Sequence, residues 1–427
     1  MMITHNYDSI NEKVCLETLE NGLQVVTIPK SGFKRFFVGF QTKFGSIDIK
    51  IKVDNDIINF PKGTAHFLEH KMFEKKNGQD VSEDFAKLGL DVNAYTCQNS
   101  TSYYFSGLHN LEKGLNLLLD FVQNPHFTTE NVNREKEIIK QELLMYQDKP
   151  SNMIYQGIKN NLYKNHPLIY DICGTIEDIM ATDKEVLNKA HRIFYHPSNM
   201  SLIIGGDVDP NEVIEIVRNN QSQKTFANKI NYKVLIDDDN DIKSNDSSKM
   251  DIIMPKISVG IKFPVFFQKN KVNEHARIDT LIRLFFGCLF GSDTNFYQNL
   301  FDDKIILSKY YSECYVDDNA VFYNIEVDSN NPLEFFNRIQ KRVLSYDEFD
   351  FSKELIEKKK RILYGMTISD FDNVESETSS YMSYLADNND LLAYFDVLNE
   401  ITNDDVKKIG SFIKKEAMSY YIIYPNS

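Results

Sequence analysis

Short apolar runs alternate with longer amphipathic segments along the first half of the chain. The runs end at turn residues and predict β-strands at 22–29, 35–47 and 197–207, and the second part of 91–106 is also strand-like. Segments whose apolar residues recur every three or four positions predict helices at 63–75, 111–123 and 131–147. Prolines at 125 and 150 mark the ends of the last two helices. The pattern is typical of a domain that mixes helices and strands.

The second half of the chain begins much as the first half does. The apolar run at 256–263 resembles the run at 35–47, and segments of helical period follow both. Between the halves, residues 219–251 are polar, most of all at 237–248, and such a segment buries too little apolar surface to become ordered. We therefore predict an α+β protein with a first domain at 1–220, a linker at 221–250 and a related second domain at 251–427.

Charge and composition narrow the possible functions. A net charge of −14 over 427 residues argues against a nucleic-acid groove, which needs clustered Lys and Arg, and it fits peptide or cationic partners. No stretch approaches the roughly 18 apolar residues of a membrane span, and the N-terminus lacks the apolar core of a secretory signal. The five cysteines are scattered without a C-x-x-C pair, which predicts reduced thiols. We expect a cytoplasmic protein without a membrane span.

The helix predicted at 63–75 carries an H-x-x-E-H pattern, formed by His66, Glu69 and His70. Helix positions four apart lie about 40° apart around the axis, so both imidazoles face the same way, as ligands of one Zn²⁺ ion must. Glu69 lies beside them and can take a proton from a zinc-bound water, whose pKa the metal lowers. A chance grouping on a polar face is the alternative. The flanking residues are apolar, however, and burying these three side chains without a partner would be costly.

A catalytic zinc ion needs one more protein ligand. The helix predicted at 131–147 carries Glu135 and Glu142 on one face, together with two isoleucines. Glutamates beside a buried stripe can equally reach solvent, and Glu137 and Asp148 are competing carboxylates. The spacing alone does not choose among these four residues.

The order of these motifs resembles that of the pitrilysin/insulinase-like family of zinc peptidases, which includes the mitochondrial processing peptidases. Besides the H-x-x-E-H pattern and the two glutamates seven positions apart, further segments match the family in its order, at 93–96, 125–127, 148–150, 166–167, 174–175, 195–200 and 206–208. The resemblance covers the first half of the chain and is closest to a bacterial YfmH-like branch.

This resemblance implies a role for each carboxylate and a fold. Glu142 is then the third zinc ligand, Glu135 supports the site from outside the ligand set, and Glu69 is the general base. The implied fold is two homologous α/β rolls, each a mixed, mostly antiparallel sheet packed by helices on one face. Two such chains commonly close into a hollow clam.

The resemblance also implies where a peptide binds. Asn93, Ala94, Tyr95 and Thr96 would line an edge strand, to which an extended substrate adds a further strand through backbone hydrogen bonds. Binding of this kind tolerates many sequences, so it suits peptides and unfolded segments. The residues do not identify a particular substrate.

The second half departs from the family pattern. Active relatives carry an arginine and a tyrosine there, which hold the substrate and polarise the scissile carbonyl. Phe301 stands at the position of the arginine and Leu307 or Ser308 at that of the tyrosine, with Tyr310 and Tyr311 close by. Without the arginine, this chain lacks a donor for transition-state charge.

We therefore predict a zinc-dependent endopeptidase subunit with one zinc ion per chain. Its partner in a heterodimer would be a different, homologous chain that lacks zinc ligands and supplies the arginine and tyrosine. The alternatives are a self-sufficient homodimeric peptidase and a non-enzymatic scaffold or assembly subunit of the same fold. The intact His66, Glu69, His70 and Glu142 favour an enzyme.

Overall fold

The computed structural model describes residues 1–8, 10–237, 241–269 and 271–426. The strands of this part are β1 (Ile3–Tyr7), β2 (Glu12–Thr18), β3 (Gln24–Pro29), β4 (Phe36–Thr42), β5 (Lys50–Val53), β6 (Asp56–Asn59), β7 (Asp91–Thr96), β8 (Thr101–Gly107), β9 (Met200–Gly206), β10 (Lys233–Val234), β11 (Asn245–Met250), β12 (Lys256–Phe263), β13 (Tyr311–Val316), β14 (Val321–Asp328) and β15 (Met418–Pro425).

The helices of the described residues are α1 (Thr64–Met72), α2 (Ser82–Lys87), α3 (Leu111–Gln123), α4 (Thr129–Gln147), α5 (Pro150–Leu162), α6 (Ile176–Ala181), α7 (Lys184–Phe194), α8 (Pro210–Ser222), α9 (Glu274–Phe290), α10 (Asn295–Asp302), α11 (Pro332–Leu344), α12 (Lys353–Asp370), α13 (Val374–Ala386), α14 (Tyr394–Glu400) and α15 (Asn403–Ile409). The three helices predicted in the first half correspond to α1, α3 and α4. In the described part of the chain, no helix combines the length and the apolar character needed to cross a membrane.

The described residues form two compact units whose segments alternate along the chain. The first unit is Met1–Leu144, Tyr170–Leu235 and Asp370–Ala386, and the second is Met145–Ile169, Ile236–Ser369 and Asp387–Ser427. The first unit thus includes α13 from late in the sequence, and the second includes α5 from early in it. The predicted contiguous domains at 1–220 and 251–427 place α5 in the first domain and α13 in the second. Hydrophobic periodicity indicates that a helix forms but not which sheet it packs against.

The first unit is built on a seven-stranded sheet in the order β1-β2-β3-β9-β4-β8-β7. Only β3 and β9 run parallel, and the other neighbouring strands are antiparallel. The inner strand β4 is buried along its whole length because helices cover both of its faces. Gln41 donates a hydrogen bond to the carbonyl of Met382 on α13, and its neighbour Thr42 donates to the carbonyl of Phe194 on α7. The predicted layer of helices on one face is therefore joined by α13 on the other.

The second unit repeats this sheet topology in a shorter form. Its five strands have the order β11-β15-β12-β14-β13, again with one parallel pair, β11 and β15, at one end. The same order of pairings occurs in the β3-β9-β4-β8-β7 part of the first sheet, where β4 occupies the position of β12. The prediction of two related α/β units with mixed, mostly antiparallel sheets is confirmed.

The segment predicted as a linker at 221–250 contains two strands. β10 pairs with β5, and β11 pairs along its whole length with β15. Alternate residues of β11 are exposed, so this edge strand gains backbone hydrogen bonds while its side chains stay polar. Part of the predicted polar run at 237–248 lies outside the described residues, at 238–240.

Candidate metal centre

The helix α1 begins at a glycine that no other residue can easily replace. Gly63 has a φ of 80°, and a Cβ atom at this position would lie 2.1 Å from the carbonyl oxygen of Cys173. Glycine adopts this left-handed conformation at little cost and leaves room for the neighbouring chain. The helix that follows is buried on several sides, through Ala65, Phe67, Leu68 and Met72. Its polar residues are therefore held in a largely apolar setting.

Two histidines of α1 and one glutamate of α4 converge on a common point. Oε2 of Glu142 lies 3.2 Å from Nε2 of His70 and 3.8 Å from Nε2 of His66. One potential ligand atom from each residue lies within 4.8 Å of the other two. Ligands about 2.0–2.1 Å from one tetrahedral zinc ion are separated by roughly 3.4 Å, so this spacing fits the ion. Two imidazoles and a carboxylate are also a donor set that zinc commonly takes.

The two histidines differ in their protonation. Burial and the neighbouring His70 lower the pKa of His66 to about 4, so its ring is neutral at neutral pH and has a lone pair for a metal. Its Nδ1 is buried and makes no hydrogen bond to the described residues. Burial alone would lower the pKa of His70, but hydrogen bonds to Glu135 and Glu142 raise it to about 9. A metal ion and a proton therefore compete for Nε2 of His70.

Glu135 lies behind His70 rather than among the three potential ligands. Its Oε1 is 3.2 Å from Nδ1 of His70, and its Oε2 is 3.2 Å from Nζ of Lys71. Burial would raise the pKa of Glu135, but the His70 hydrogen bond and the Lys71 charge lower it. A carboxylate that accepts from Nδ1–H fixes the tautomer in which Nε2 has the lone pair. The structure thus brings Glu142 to the histidines and assigns Glu135 to the rear of His70.

The other two carboxylates that competed in the sequence are exposed. Glu137 and Asp148 both lie outside the group formed by His66, His70 and Glu142. Glu137 instead pairs with Lys140 on the surface of α4, at 3.4 Å.

Glu69 points toward strand β7. Thr96 donates a hydrogen bond from Oγ1 to Oε2 of Glu69 over 2.6 Å. Burial raises the pKa of Glu69 above its usual value, and the Thr96 hydrogen bond opposes that shift. The carboxylate is therefore a stronger base than one in water, and one of its oxygens is held in place.

Strand β7 holds the predicted substrate-binding residues Asn93, Ala94, Tyr95 and Thr96 at an edge of the first sheet. In the order of the described strands it comes last, paired on one side with β8. Asn93 is exposed, Ala94 and Tyr95 are half-buried, and Thr96 is buried against Glu69. A cavity of about 480 Å³ beside the strand is lined by Glu69, His70, Phe73, Val92, Asn93 and Glu135, among others. The strand edge and the carboxylate of Glu69 therefore border one space.

Two features of this centre were not predicted from the sequence. One is the buried Lys71, and the other is the hydrogen bond from Thr96 to Glu69. Lys71 is only 1% exposed, although it is a lysine. A lysine that follows a helix face flanked by buried apolar residues is a signal that it has buried partners. The bond between Thr96 and Glu69 has no such signal, because it joins a strand and a helix that are distant in the sequence.

The residues that stand in for the missing arginine and tyrosine belong to the second unit. Phe301 lies on α10, and Leu307 is exposed in the segment that follows. Tyr310 is half-buried, and its hydroxyl makes no hydrogen bond within the described residues. Tyr311 is 62% exposed at the start of β13. Among the described residues, the position that holds the arginine in active relatives is therefore occupied by Phe301.

The fold and this group of side chains define a protein of the zinc-protease type, with an inverted H-x-x-E-H motif on a buried helix. The chain belongs to the insulinase family, peptidase family M16. Residues 59–176 match the family model "Insulinase (Peptidase family M16)", and residues 182–363 match "Peptidase M16 inactive domain". The predicted family is thereby confirmed.

One curated relative is similar to most of the chain, and others are similar to about half of it. The uncharacterized zinc protease YmfH of Bacillus subtilis is 34% identical over 94% of either chain. A protein named as a probable mitochondrial-processing peptidase subunit beta of Arabidopsis thaliana is 28% identical over 51% of this chain and 40% of its own length.

A solved structure from Alicyclobacillus acidocaldarius, described as an M16-like peptidase, superimposes with a TM-score of 0.92 at 28% identity over 97% of this chain and 99% of the other. The names of the relatives support a peptidase, and the superposition supports the fold.

Proposed function

We propose that this chain is a zinc-dependent endopeptidase subunit that hydrolyses peptides or unfolded segments. The observation that carries the proposal is the convergence of His66, His70 and Glu142, with Glu69 beside them. The relatives named as zinc proteases support it.

The reaction follows from what each side chain can do. His66, His70 and Glu142 would hold one zinc ion, which when bound polarises the scissile carbonyl and lowers the pKa of a water molecule. Glu69 accepts the proton of the attacking water on its carboxylate and passes it to the leaving amine nitrogen. Thr96 holds Oε2 of Glu69, so the carboxylate keeps one orientation while the proton moves. Glu135 keeps the ring of His70 in the tautomer that can bind metal.

The substrate would bind as an added strand. Asn93, Ala94, Tyr95 and Thr96 belong to the edge strand β7, where an extended peptide can form backbone hydrogen bonds. A peptide along this edge would run past Glu69, and the cavity of about 480 Å³ would take one of its side chains. Backbone pairing makes few demands on sequence, which fits turnover of varied peptides.

The chain would work with a partner of the same fold that supplies the arginine and tyrosine, in a closed chamber. Phe301 at the arginine position supports this, as does the match of the second half to a domain described as inactive. One relative is named as a subunit of a processing peptidase. A homodimeric peptidase and a scaffold subunit are the alternatives.

The test measures zinc content and peptide cleavage in parallel. The purified chain, alone and with proteins that co-purify with it, is assayed for metal and against a library of quenched peptides. We expect one zinc ion per chain, and cleavage that requires the partner and is lost in Glu69→Gln. Full activity of the single chain as a homodimer would contradict the heterodimer. A chain without zinc and without cleavage in either state would contradict the enzyme.

A further inference from the structure

The lysine that follows the second histidine of α1 is almost completely buried. Lys71 is 1% exposed, and its Nζ lies 2.5 Å from Oε2 of Glu74 and 3.2 Å from Oε2 of Glu135. An ammonium group is rarely buried unless carboxylates compensate the loss of water. Lys71 satisfies this condition, because the carboxylates of Glu74 and Glu135 both contact its ammonium group.

The ion pairs of Lys71 extend into a chain that ends on a zinc-binding histidine. Glu135 uses Oε2 for Lys71 and Oε1 for Nδ1 of His70. On the far side, Glu74 uses Oε2 for Lys71 and Oε1 for Nη2 of Arg134, at 2.8 Å. Both oxygens of both carboxylates are therefore engaged. The order of contacts is Arg134, Glu74, Lys71, Glu135 and His70.

This arrangement distinguishes two carboxylates that both lie beside His70. Glu135 and Glu142 are two turns apart on α4 and both lie within hydrogen-bond distance of His70. A negative charge at Glu135 is attracted to any cation held by the histidines, as the charge of Glu142 is. The ammonium of Lys71 holds Oε2 of Glu135 at 3.2 Å in a buried setting, where attraction between charges is strong.

We propose that Lys71 is a positioning residue for the metal centre. It holds Glu135 as the hydrogen-bond partner of His70, keeps that carboxylate out of the ligand set and leaves Glu142 as the carboxylate ligand. The inference rests on the proposed zinc function and deepens it, because it names the group that orders the ligands. Lys71 borders the cavity beside β7 but is only 1% exposed, and it does not touch the reacting atoms in this account.

The test is the zinc affinity of Lys71→Met, measured by competition with a chromophoric chelator, so the readout is independent of catalysis. Methionine has a similar length but no charge. Loss of a partner outside the ligand set typically weakens metal binding about 10- to 100-fold, and we expect a loss of this size. Lys71→Arg, which keeps the charge, is expected to lose less affinity than Lys71→Met. The reverse order would overturn the proposal.

A matched control comes from another buried lysine of the same unit. Lys30 is 7% exposed and also lies between two glutamates, Glu12 and, at 2.8 Å, Glu377. Lys30→Met also removes a buried charge and is expected to leave zinc affinity unchanged. If Lys71→Met binds zinc as tightly as Lys30→Met, the proposal is overturned.

A double-mutant cycle tests whether Lys71 acts through Glu135. In the Glu135→Gln background, Lys71→Met should cause little further loss of zinc affinity, and a full additional loss would overturn the proposal. Should Lys71→Met not fold, Lys71→Gln removes the same charge with a polar end, and the same loss is expected. If the wild-type chain binds no zinc, the proposed function itself is refuted. If the wild type and Lys71→Gln bind zinc equally tightly, only the role of Lys71 is refuted.

Discussion

Oγ1 of Thr96 donates a hydrogen bond to Oε2 of Glu69 over 2.6 Å. The donor belongs to an edge strand and the acceptor to the helix that carries both histidines. This single contact fixes the proposed base relative to the strand on which a peptide would lie. The proposed chemistry and the proposed binding edge are therefore linked by one side chain.

Replacing Thr96 with valine should lower the rate of catalysis without weakening substrate binding. Valine has the shape of threonine but cannot donate, so the Glu69 carboxylate loses its fixed orientation. A hydrogen bond to a charged group contributes about 1.5–3 kcal/mol, which corresponds to a fall in kcat of roughly tenfold or more. Steady-state kinetics on a quenched peptide measures kcat and KM separately. Thr96→Ser keeps the hydroxyl and should retain most of the activity, and an equal loss in both variants would contradict the role of the bond.

The choice among the carboxylates of α4 can be tested with metal analysis. Glu142→Ala should reduce zinc affinity by about 100-fold or more, because it removes a direct ligand rather than an outer partner. Glu137→Ala, on the same helix, removes an exposed carboxylate that pairs with Lys140 and should bind zinc like the wild type. Chelator competition on both variants, with circular dichroism to check folding, gives the comparison. Equal affinities would mean that Glu142 is not a ligand.

Local spacing predicted part of the candidate site. His66 and His70 share one helix face because they are four residues apart, and their ring centres lie 4.6 Å from each other. Glu135 and Glu142 share a face of α4 for a similar reason. In our proposal, the choice between the two depends on Lys71, which contacts Glu135 across two helices. Such long-range pairing is absent from any single-segment pattern.

The fold was predictable to a similar degree. Apolar runs marked β4 and β12, because both strands are buried in the middle of their sheets. Strand β11 was hidden in a polar segment, since an edge strand is held by backbone pairing and needs no apolar run. The assignment of α5 to the second unit and of α13 to the first could not be predicted from the sequence either. It depends on contacts such as that of Gly39 with Met382, which are far apart in the sequence.

The glycine before α1 should be required for stability. Gly63→Ala places a side chain in left-handed backbone, which costs about 1–2 kcal/mol, and adds a clash with the carbonyl of Cys173. Gly78 has nearly the same φ, 79°, but a Cβ there would meet no atom within 4 Å. Gly78→Ala therefore has the backbone cost alone. Urea unfolding should show a clearly larger loss for Gly63→Ala, and equal losses would refute the close contact.

The stability of the protein should fall between about pH 5 and pH 7 because of one buried carboxyl group. Glu377 on α13 is 1% exposed, and burial raises its pKa from 4.5 to about 7 despite the bond from Lys30. The folded state then binds more protons than the unfolded state between these two values. The free energy of unfolding contributed by this group is complete below pH 4.5 and is lost as the pH rises toward 7. The loss is on the order of 3 kcal/mol at most.

Glu377→Gln should flatten this pH dependence, because a neutral amide does not titrate. Urea unfolding at pH 5 and pH 7.5 gives the change in the free energy of unfolding between these pH values for the wild type and for the variant. The difference between the two changes measures the effect of Glu377, because the contributions of other titrating groups cancel. Glu375→Gln changes an exposed carboxylate on the same helix and should leave the wild-type dependence intact. The free energy of unfolding of Glu377→Gln could instead fall as much as that of the wild type between pH 5 and pH 7.5. Glu377 would then have the same pKa in the folded state as in the unfolded state, which would contradict the prediction. Its burial beside Lys30 would then have to be compensated fully by that single ion pair, and Lys30→Met should in that case be far more destabilising at pH 7.5 than at pH 5.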